Sequence, residues 1–419
     1  MISNPAEFST ITIIGSGPAG AVASMFLSRQ NIYHTILDKA SFPRDKVCGD
    51  GLSGKAVSVI KKLDPQILEE MKAAEDTCLG SWGVVFAAPN GKKLEIPFKK
   101  DMSSEPHPPG FVARRIDFDH FLMKKSVSPY AHRIDSAEVL QLSKKTDGIE
   151  LIYRYQERKV TANTKLIIAA DGERSITSRT FFNEPMRPSH FYAGIRGYYH
   201  NVSGCHPQNF IELHFLPDLL PGYFWIFPLP GGKANVGVCV LSSKAGKDKM
   251  NLREKMLDII ANRTGISERF REAVPEGKIA GWGLPLGSYK RKLSTDHVML
   301  TGDAASLIDP FTGEGIGNAM MSGMIAARAA EKAVEQNDFT GLFLSEIYDK
   351  EIEKSLRDEL KLSYTMQRLC KKPWLFNFVA SRSEKNATLR ETISCMFEDL
   401  DMRTRLRDPK YYLKLLFNT

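Results

Sequence analysis

The sequence predicts an α/β chain: a Rossmann-type domain built on a parallel sheet, a discontinuous α+β second domain on an antiparallel sheet, and a C-terminal helical region. Three observations carry this. An apolar run at 11–14, with Ile11, Ile13 and Ile14, enters a glycine turn and then a helix-forming stretch at 21–29. Two further apolar runs, 165–170 and 298–300, end in Asp171-Gly172 and Gly302-Asp303, as strands of the same sheet would. Between about 180 and 280 the texture changes to aromatic, strand-like runs such as FYAGIRGYY, FIELHFL, YFWIFPL and ANVGVCVL. The first domain is therefore expected at 1–75, 106–178 and 280–337, the second at 76–105 and 179–279, and the helical region at 338–419.

The glycine turn is the most informative stretch. In ITIIGSGPAG, Gly15 permits a tight turn, Gly17 lets backbone approach an anion, and Gly20 lets helix and strand pack closely. Pro18 and Ala19 open the helix, whose free N–H groups and dipole favour a pyrophosphate. A second strand at 34–37 ends in Asp38-Lys39, and Asp38 stands where this fold places an acceptor for ribose hydroxyls. Strand, glycines, helix and acid in this order predict a dinucleotide site.

The chain then runs through a loop containing Pro43, Cys48, Gly49, Gly51 and Gly54 to a helix paced by Ala56, Val57, Ile60 and Leu63. VVFAA and KLEIPF read as a hairpin about Asn90-Gly91. Helical spacing returns at 116–127, headed by Arg114, Arg115 and Asp117. Strands at 137–142, 149–155 and 165–170 form a meander within the first domain. One helical stretch near 251–273 lies against the aromatic sheet. Residues 316–334 read as one long Ala/Met-rich helix, and helical patterns continue beyond 338.

Composition bounds the function. The 419 residues, 42% hydrophobic and 25% charged, describe an ordinary globular protein with ample core. The net charge of +8 is spread among almost as many acids and does not by itself indicate nucleic acid. The six cysteines show no CxxC pair, and no HExxH or carboxylate cluster suggests a metal. Reduced thiols and a cytoplasmic setting are expected. No apolar run approaches the roughly 20 residues of a membrane span, so any membrane contact is peripheral. Arg403, Arg405, Arg407, Lys410 and Lys414, interleaved with Tyr411, Tyr412, Leu413, Leu415, Leu416 and Phe417, offer one candidate surface.

GSGPAG, Ala170-Asp171-Gly172 with Ser175, and Thr301-Gly302-Asp303-Ala304-Ala305 together resemble the three FAD signatures of the p-hydroxybenzoate hydroxylase-like flavoproteins. That resemblance implies a resident FAD, with Asp303 accepting hydrogen bonds from its ribityl chain. The loop Asp309-Pro310-Phe311-Thr312-Gly313-Glu314-Gly315-Ile316 opens the long helix, and its N–H groups would face the flavin where negative charge collects on reduction.

Two segments narrow the match. PRDKVCGDG at 43–51 and YFWIFP at 223–228, with Gly237 after it, resemble the geranylgeranyl reductase family, as does Arg115 with Phe118 and Asp119 in RxxFD spacing. The resemblance implies a Cys48-Gly49 loop and Arg115 beside the flavin, and a YxWxFP strand lining a lipid channel. One departure stands out: the family's channel motif ends GxG, where this chain has Gly237-Val238-Cys239.

The chemistry so implied is hydride transfer from reduced FAD to an isolated isoprenoid double bond of a geranylgeranyl or polyprenyl lipid. Such an alkene also needs a proton and a dry site. Tyr223, Trp225 and Phe227 share one face of a strand and would form its aromatic wall. Cys48, Tyr223 and Trp225 are the candidate catalytic residues, and Arg44 and Lys46 near Cys48 are expected to lower its thiol pKa. The absence of a second GxGxxG unit leaves electron delivery to a transient NAD(P)H or to another external donor, including a protein. Two alternatives stay open: a flavin monooxygenase or halogenase of the same fold, against which YFWIFP departs from WxWxIP, and an electron-transfer flavoprotein serving a quinone or protein acceptor.

Overall fold

The computed structural model describes residues 8–99 and 106–383. At its centre Phe8–Ile14 lies between two parallel neighbours, His34–Leu37 and Arg158–Ala169, with Ala131–Ile134 and Val298–Leu300 continuing the sheet on either side. Residues 11–14, 36–37, 166–169 and 298–300 of these strands are buried, and this accounts for their Ile, Leu and Val content. Arg158–Ala169 does two jobs: its first part pairs antiparallel with Gly148–Tyr155, its second parallel with Phe8–Ile14. The expected meander thus grows directly out of the central sheet. The helix Pro18–Arg29 packs on the long helix Ile316–Gln336 through small residues; a Cβ on Gly323 would run into the backbone of Ala19.

The second sheet has seven strands in the order Val274–Pro285, Phe191–His200, Lys233–Leu241, Tyr223–Leu229, Ile211–His214, Gly83–Ala87 and Lys93–Pro97. It departs from the expected antiparallel sheet at one joint, because Ile211–His214 runs parallel to Gly83–Ala87. The hairpin at 83–97 was formed far earlier in the chain, so its edge is met in whichever direction the later strand arrives. A further correction concerns the boundary at 280. Val274–Pro285 pairs with Phe191–His200 as far as Pro285, so residues 280–285 belong to this sheet. Its glycines and polar residues hid the strand from the sequence reading.

Alternation along Tyr223–Leu229 divides two cores. Phe224 and Ile226 join Val236, Val238, Val240 and the helix Leu252–Asn262, whereas Tyr223 and Trp225 face Phe215 and Phe311. A small sheet of Gly51–Leu52, Gly110–Ala113 and Cys78–Ser81 bridges the two large ones. Short elements such as Gly110–Ala113, Ala131–Ile134 and Pro65–Ala73 carry too few residues for a periodic signal. The helical pattern beyond 338 becomes chiefly Lys350–Cys370 and Pro373–Ser383. The candidate basic and aromatic surface at 403–417 lies outside the described residues. Among the described residues no helix is long and apolar enough to cross a membrane.

Candidate active site

The turn after Phe8–Ile14 is closed by its own backbone. Gly15 has φ 95° and donates its N–H to Leu37 O at 2.7 Å. A Cβ on Gly20 would run into the Gly15 carbonyl, and one on Gly15 into that of Ala170. Gly17 differs, because its open side faces cations: a Cβ there would lie 3.6 Å from an Arg44 guanidinium nitrogen and 4.0 Å from one of Arg115. No side chain caps the helix starting at Pro18, and the buried Ser16 Oγ has no hydrogen-bond partner among the described residues. A glycine cradle, an uncapped helix N-terminus and two guanidinium groups fit a pyrophosphate. Asp38 ends the neighbouring strand, its Oδ2 accepting from Ser16 N–H at 2.6 Å and Oδ1 from Ala40 N–H at 2.9 Å; Lys39 beside it is exposed.

Arg115 opens the helix Arg115–Lys125 and forms a bidentate pair with buried Asp119, through Nε at 2.6 Å and a terminal nitrogen at 2.7 Å. Arg44 joins the same carboxylate at 2.8 Å. One acid therefore aims two cations at Gly17, and the RxxFD spacing is the i,i+4 geometry of that pair. Burial opposes the Arg115 charge, but Asp119 outweighs it and holds the guanidinium protonated.

The other expected cofactor residues converge from distant segments. Asp303 pairs with Lys46 at 2.8 Å, and a Cβ on Gly315 would stand 3.7 Å from an Asp303 oxygen. Gly302 takes φ 55° and donates its N–H to Ser322 Oγ at 2.9 Å. Asp171 accepts from Thr177 N–H at 3.2 Å and Oγ1 at 3.1 Å, tying down the helix Ile176–Phe181. Its Oδ1 has no partner among the described residues, and Gly172 beside it takes φ 77°. Pro310 O accepts from Gln367 Nε2 at 2.7 Å, and Gly313 takes φ 73°. Ile316, buried, begins the long helix. The N-terminus of that helix is less open than expected: Glu314, predicted only as part of the loop, accepts the Gly317 N–H at 2.5 Å and the Ser53 hydroxyl at 3.0 Å. Its carboxylate occupies part of the positive end expected to face the flavin.

The aromatic strand spans the gap between the two glycine loops. Tyr223 donates its hydroxyl to Thr312 O, and a Cβ on Gly313 would lie 2.6 Å from that hydroxyl. At the other end, Cβ atoms on Gly49 and Gly51 would lie 3.1 and 3.2 Å from the Phe227 ring. Trp225, between them, donates its indole N–H to Asn235 Oδ1 at 2.9 Å and lies across Gly237, where a side chain would collide with it. Gly237 is thus the opposite face of a Trp slot. Cys239, where the resemblance expects glycine, pairs in register with Tyr223, is buried, and has its thiol pushed by burial to about 12.

Cys48 requires a correction. Its expected low thiol pKa assumed exposure to Arg44 and Lys46, but Arg44 is committed to Asp119. Cys48 is half-buried, and desolvation pushes its thiol up, against the lowering effects of Arg115 and Lys46 and with Asp50 adding to the rise. Asn235 Nδ2 donates to the Cys48 carbonyl and to Asp50 Oδ2, each at 2.7 Å. Neither Asn235 nor the role of Asp50 was found from sequence; Asp50 stood in the quoted CGDG, while Asn235 has no local signal. A second unforeseen network lies beneath the long helix. Buried Lys55 bonds Asn318 Oδ1 at 2.6 Å and Glu359 at 2.8 and 2.9 Å, and the carboxylates of Glu359 and Glu314 hold it charged despite burial. Glu359 comes from the C-terminal helix, beyond the reach of any motif.

The chain matches the FAD binding domain family over residues 8–333. It is 27% identical over 360 residues to digeranylgeranylglycerophospholipid reductase of Methanosarcina mazei, covering 84% of this chain and 82% of that protein. With menaquinone reductase of Mycobacterium tuberculosis it shares 26% over 361 residues, 81% and 80% of the two chains. Its fold is that of a geranylgeranyl bacteriochlorophyll reductase-like protein from Thermoplasma acidophilum, with TM-score 0.80 at 20% identity over 96% of this chain and 99% of that one. The flavin-dependent brominase Bmp2 shares the fold at TM-score 0.75 and 20% identity, covering 93% and 94%.

Proposed function

The chain belongs to the FAD-binding domain family as a geranylgeranyl reductase-like, FAD-dependent oxidoreductase, and we propose that it saturates isoprenoid double bonds of a polyprenyl lipid. The observation that carries this reading is the strand Tyr223–Leu229, whose aromatic face runs from the loop at 309–315 to the loop at 48–51. FAD, when bound, supplies the hydride. Gly15, Gly17 and Gly20, with Arg44 and Arg115, would hold its pyrophosphate, Asp38 its adenosine ribose, and Asp303 its ribityl chain. Tyr223, Trp225 and Phe227 would lay an apolar chain against the reacting edge and exclude water. Their ring faces favour positive charge developing on an alkene carbon. Cys48, kept protonated by desolvation, is the proton-bearing side chain of the neighbouring loop.

Relatives named for a phospholipid-linked and a quinone substrate support the prenyl chain as the common element and leave the head group to experiment. The test is anaerobic. The FAD-loaded protein is reduced, then mixed with geranylgeranyl diphosphate, a digeranylgeranyl phospholipid or menaquinone. Flavin reoxidation with two hydrogens gained per double bond is the expected outcome. Reoxidation only on admitting oxygen, with hydroxylated or halogenated product, would overturn the reading in favour of a monooxygenase or halogenase. Reoxidation by menaquinone with its side chain unchanged would mark an electron carrier.

A further inference from the structure

Asp50 has no part in the reading above, yet it is as fully buried as Asp119 and stands at φ 70°. Its Oδ2 accepts from Asn235 Nδ2 at 2.7 Å and from the Tyr198 hydroxyl at 2.8 Å; Oδ1 accepts from the Arg115 backbone N–H at 3.3 Å. The same Asn235 nitrogen reaches the Cys48 carbonyl, and Trp225 occupies the amide oxygen, so the orientation of Asn235 is set from the aromatic strand. The charged and titratable groups facing this cluster are Arg114 and Arg115 at the helix start, Arg196 and Tyr198 on Phe191–His200, and Lys46 and Cys48 on the loop. Asp119 lies on Arg115, Asp45 on Arg196 and Glu276 on Arg114.

We propose that Asp50 is a positioning residue for Cys48: it anchors the loop through Asn235 and sets its negative charge against Arg115, so that it adds to desolvation in suppressing the Cys48 thiolate. A guanidinium beside sulfur favours the thiolate, and a carboxylate in the same enclosure opposes it. Burial raises the Asp50 pKa to about 6 even against its hydrogen bonds and the two arginines, so the acid is ionised at neutral pH and titrates just below it. The inference deepens the alkene-reduction reading and rests on it only for the use of the proton: a thiol has one to give, a thiolate none.

The test is the rate of Cys48 alkylation by iodoacetamide in the FAD-loaded protein from pH 5 to 9, read by peptide mass spectrometry. In the wild type, the logarithm of the rate should climb with less than unit slope between pH 5 and 7, while Asp50 ionises, and with unit slope above. Asp50→Asn should show unit slope throughout and react about tenfold faster at pH 7, one unit of thiol pKa; Asp50→Glu should return towards the wild-type rate. Tyr198→Phe, a milder change that leaves Asp50 less ionised, should react about twofold faster at pH 7. It decides the matter with the wild-type profile if Asp50→Asn does not fold. Unit slope across the whole wild-type range, or wild-type rates in Asp50→Asn or Tyr198→Phe with flavin content unchanged, overturns the proposal. No lipid enters this measurement, so failure of the reductase reading would show separately, as an intact alkylation pattern without alkene reduction.

Discussion

The two glycine loops that meet Arg115 differ in what makes glycine necessary. At Gly15–Gly20 the obstruction is the chain's own backbone: Gly20 faces the carbonyl of Gly15, five residues away. At Gly49 and Gly51 it is the ring of Phe227, from a strand of the other large sheet. The first loop is bounded by backbone, its own at Gly20 and that of Ala170 at Gly15. The second exists only when the two sheets have packed, and its shape depends on a side chain that can move or be trimmed. Under the proposed function, the first loop serves cofactor retention and the second serves substrate handling.

The largest effect should come from Gly20→Val. Backbone cannot yield as a side chain does, so the turn must open, and the purified protein should retain less than about a tenth of its flavin by absorbance. Phe227→Ala should separate the loops in the other sense. Removing a partly buried ring costs about 3 kcal/mol in chemical unfolding; flavin content should stay near the wild type while lipid turnover falls. Equal loss of flavin in both variants would break the distinction.

A pH series probes the second loop alone. The pKa of Asp50 is raised from its ordinary 3.8 to about 6, chiefly by burial. The stability associated with its neutral form is therefore complete below about pH 4 and lost as pH rises through 6. Relative to Asp50→Asn, the FAD-loaded wild type should lose on the order of 2–3 kcal/mol between pH 4 and 7 in urea melts. A constant difference would mean that Asp50 does not titrate in this window. The smallest effect should be Gly49→Ala, whose new methyl at 3.1 Å asks the Phe227 ring to shift by a few tenths of an ångström. About 1 kcal/mol of stability and a change in lipid turnover without flavin loss are expected.

How much of this was legible follows the same division. The strand, turn and helix at 8–29 could be read because their apolar run, glycine spacing and helix-forming residues lie in one contiguous stretch. The RxxFD spacing likewise encodes an ion pair one helical turn long. Tyr223, Trp225 and Phe227 were correctly placed on one face, since strand alternation needs no tertiary information. The thiol of Cys48 departs from the expectation because only one of the two cations near it in sequence, Lys46, acts on it in space, and loss of water outweighs that cation. Arg44 turns instead to Asp119, and enclosure governs the sulfur. The strand Val274–Pro285 escaped notice because its partners, not its composition, define it.

The sequence by itself determined a nucleotide-binding α/β core, the residues of its phosphate turn, and an aromatic strand with a defined face, because backbone sterics and side-chain periodicity act over a few residues. Only the tertiary structure decided that Trp225 orients Asn235, that Asn235 ties Cys48 to Asp50, and that Lys55 meets Glu359 from the C-terminal helix. Those contacts join residues up to 304 positions apart. Their energies depend on burial, and burial is a property of the packed molecule that no stretch of chain possesses alone.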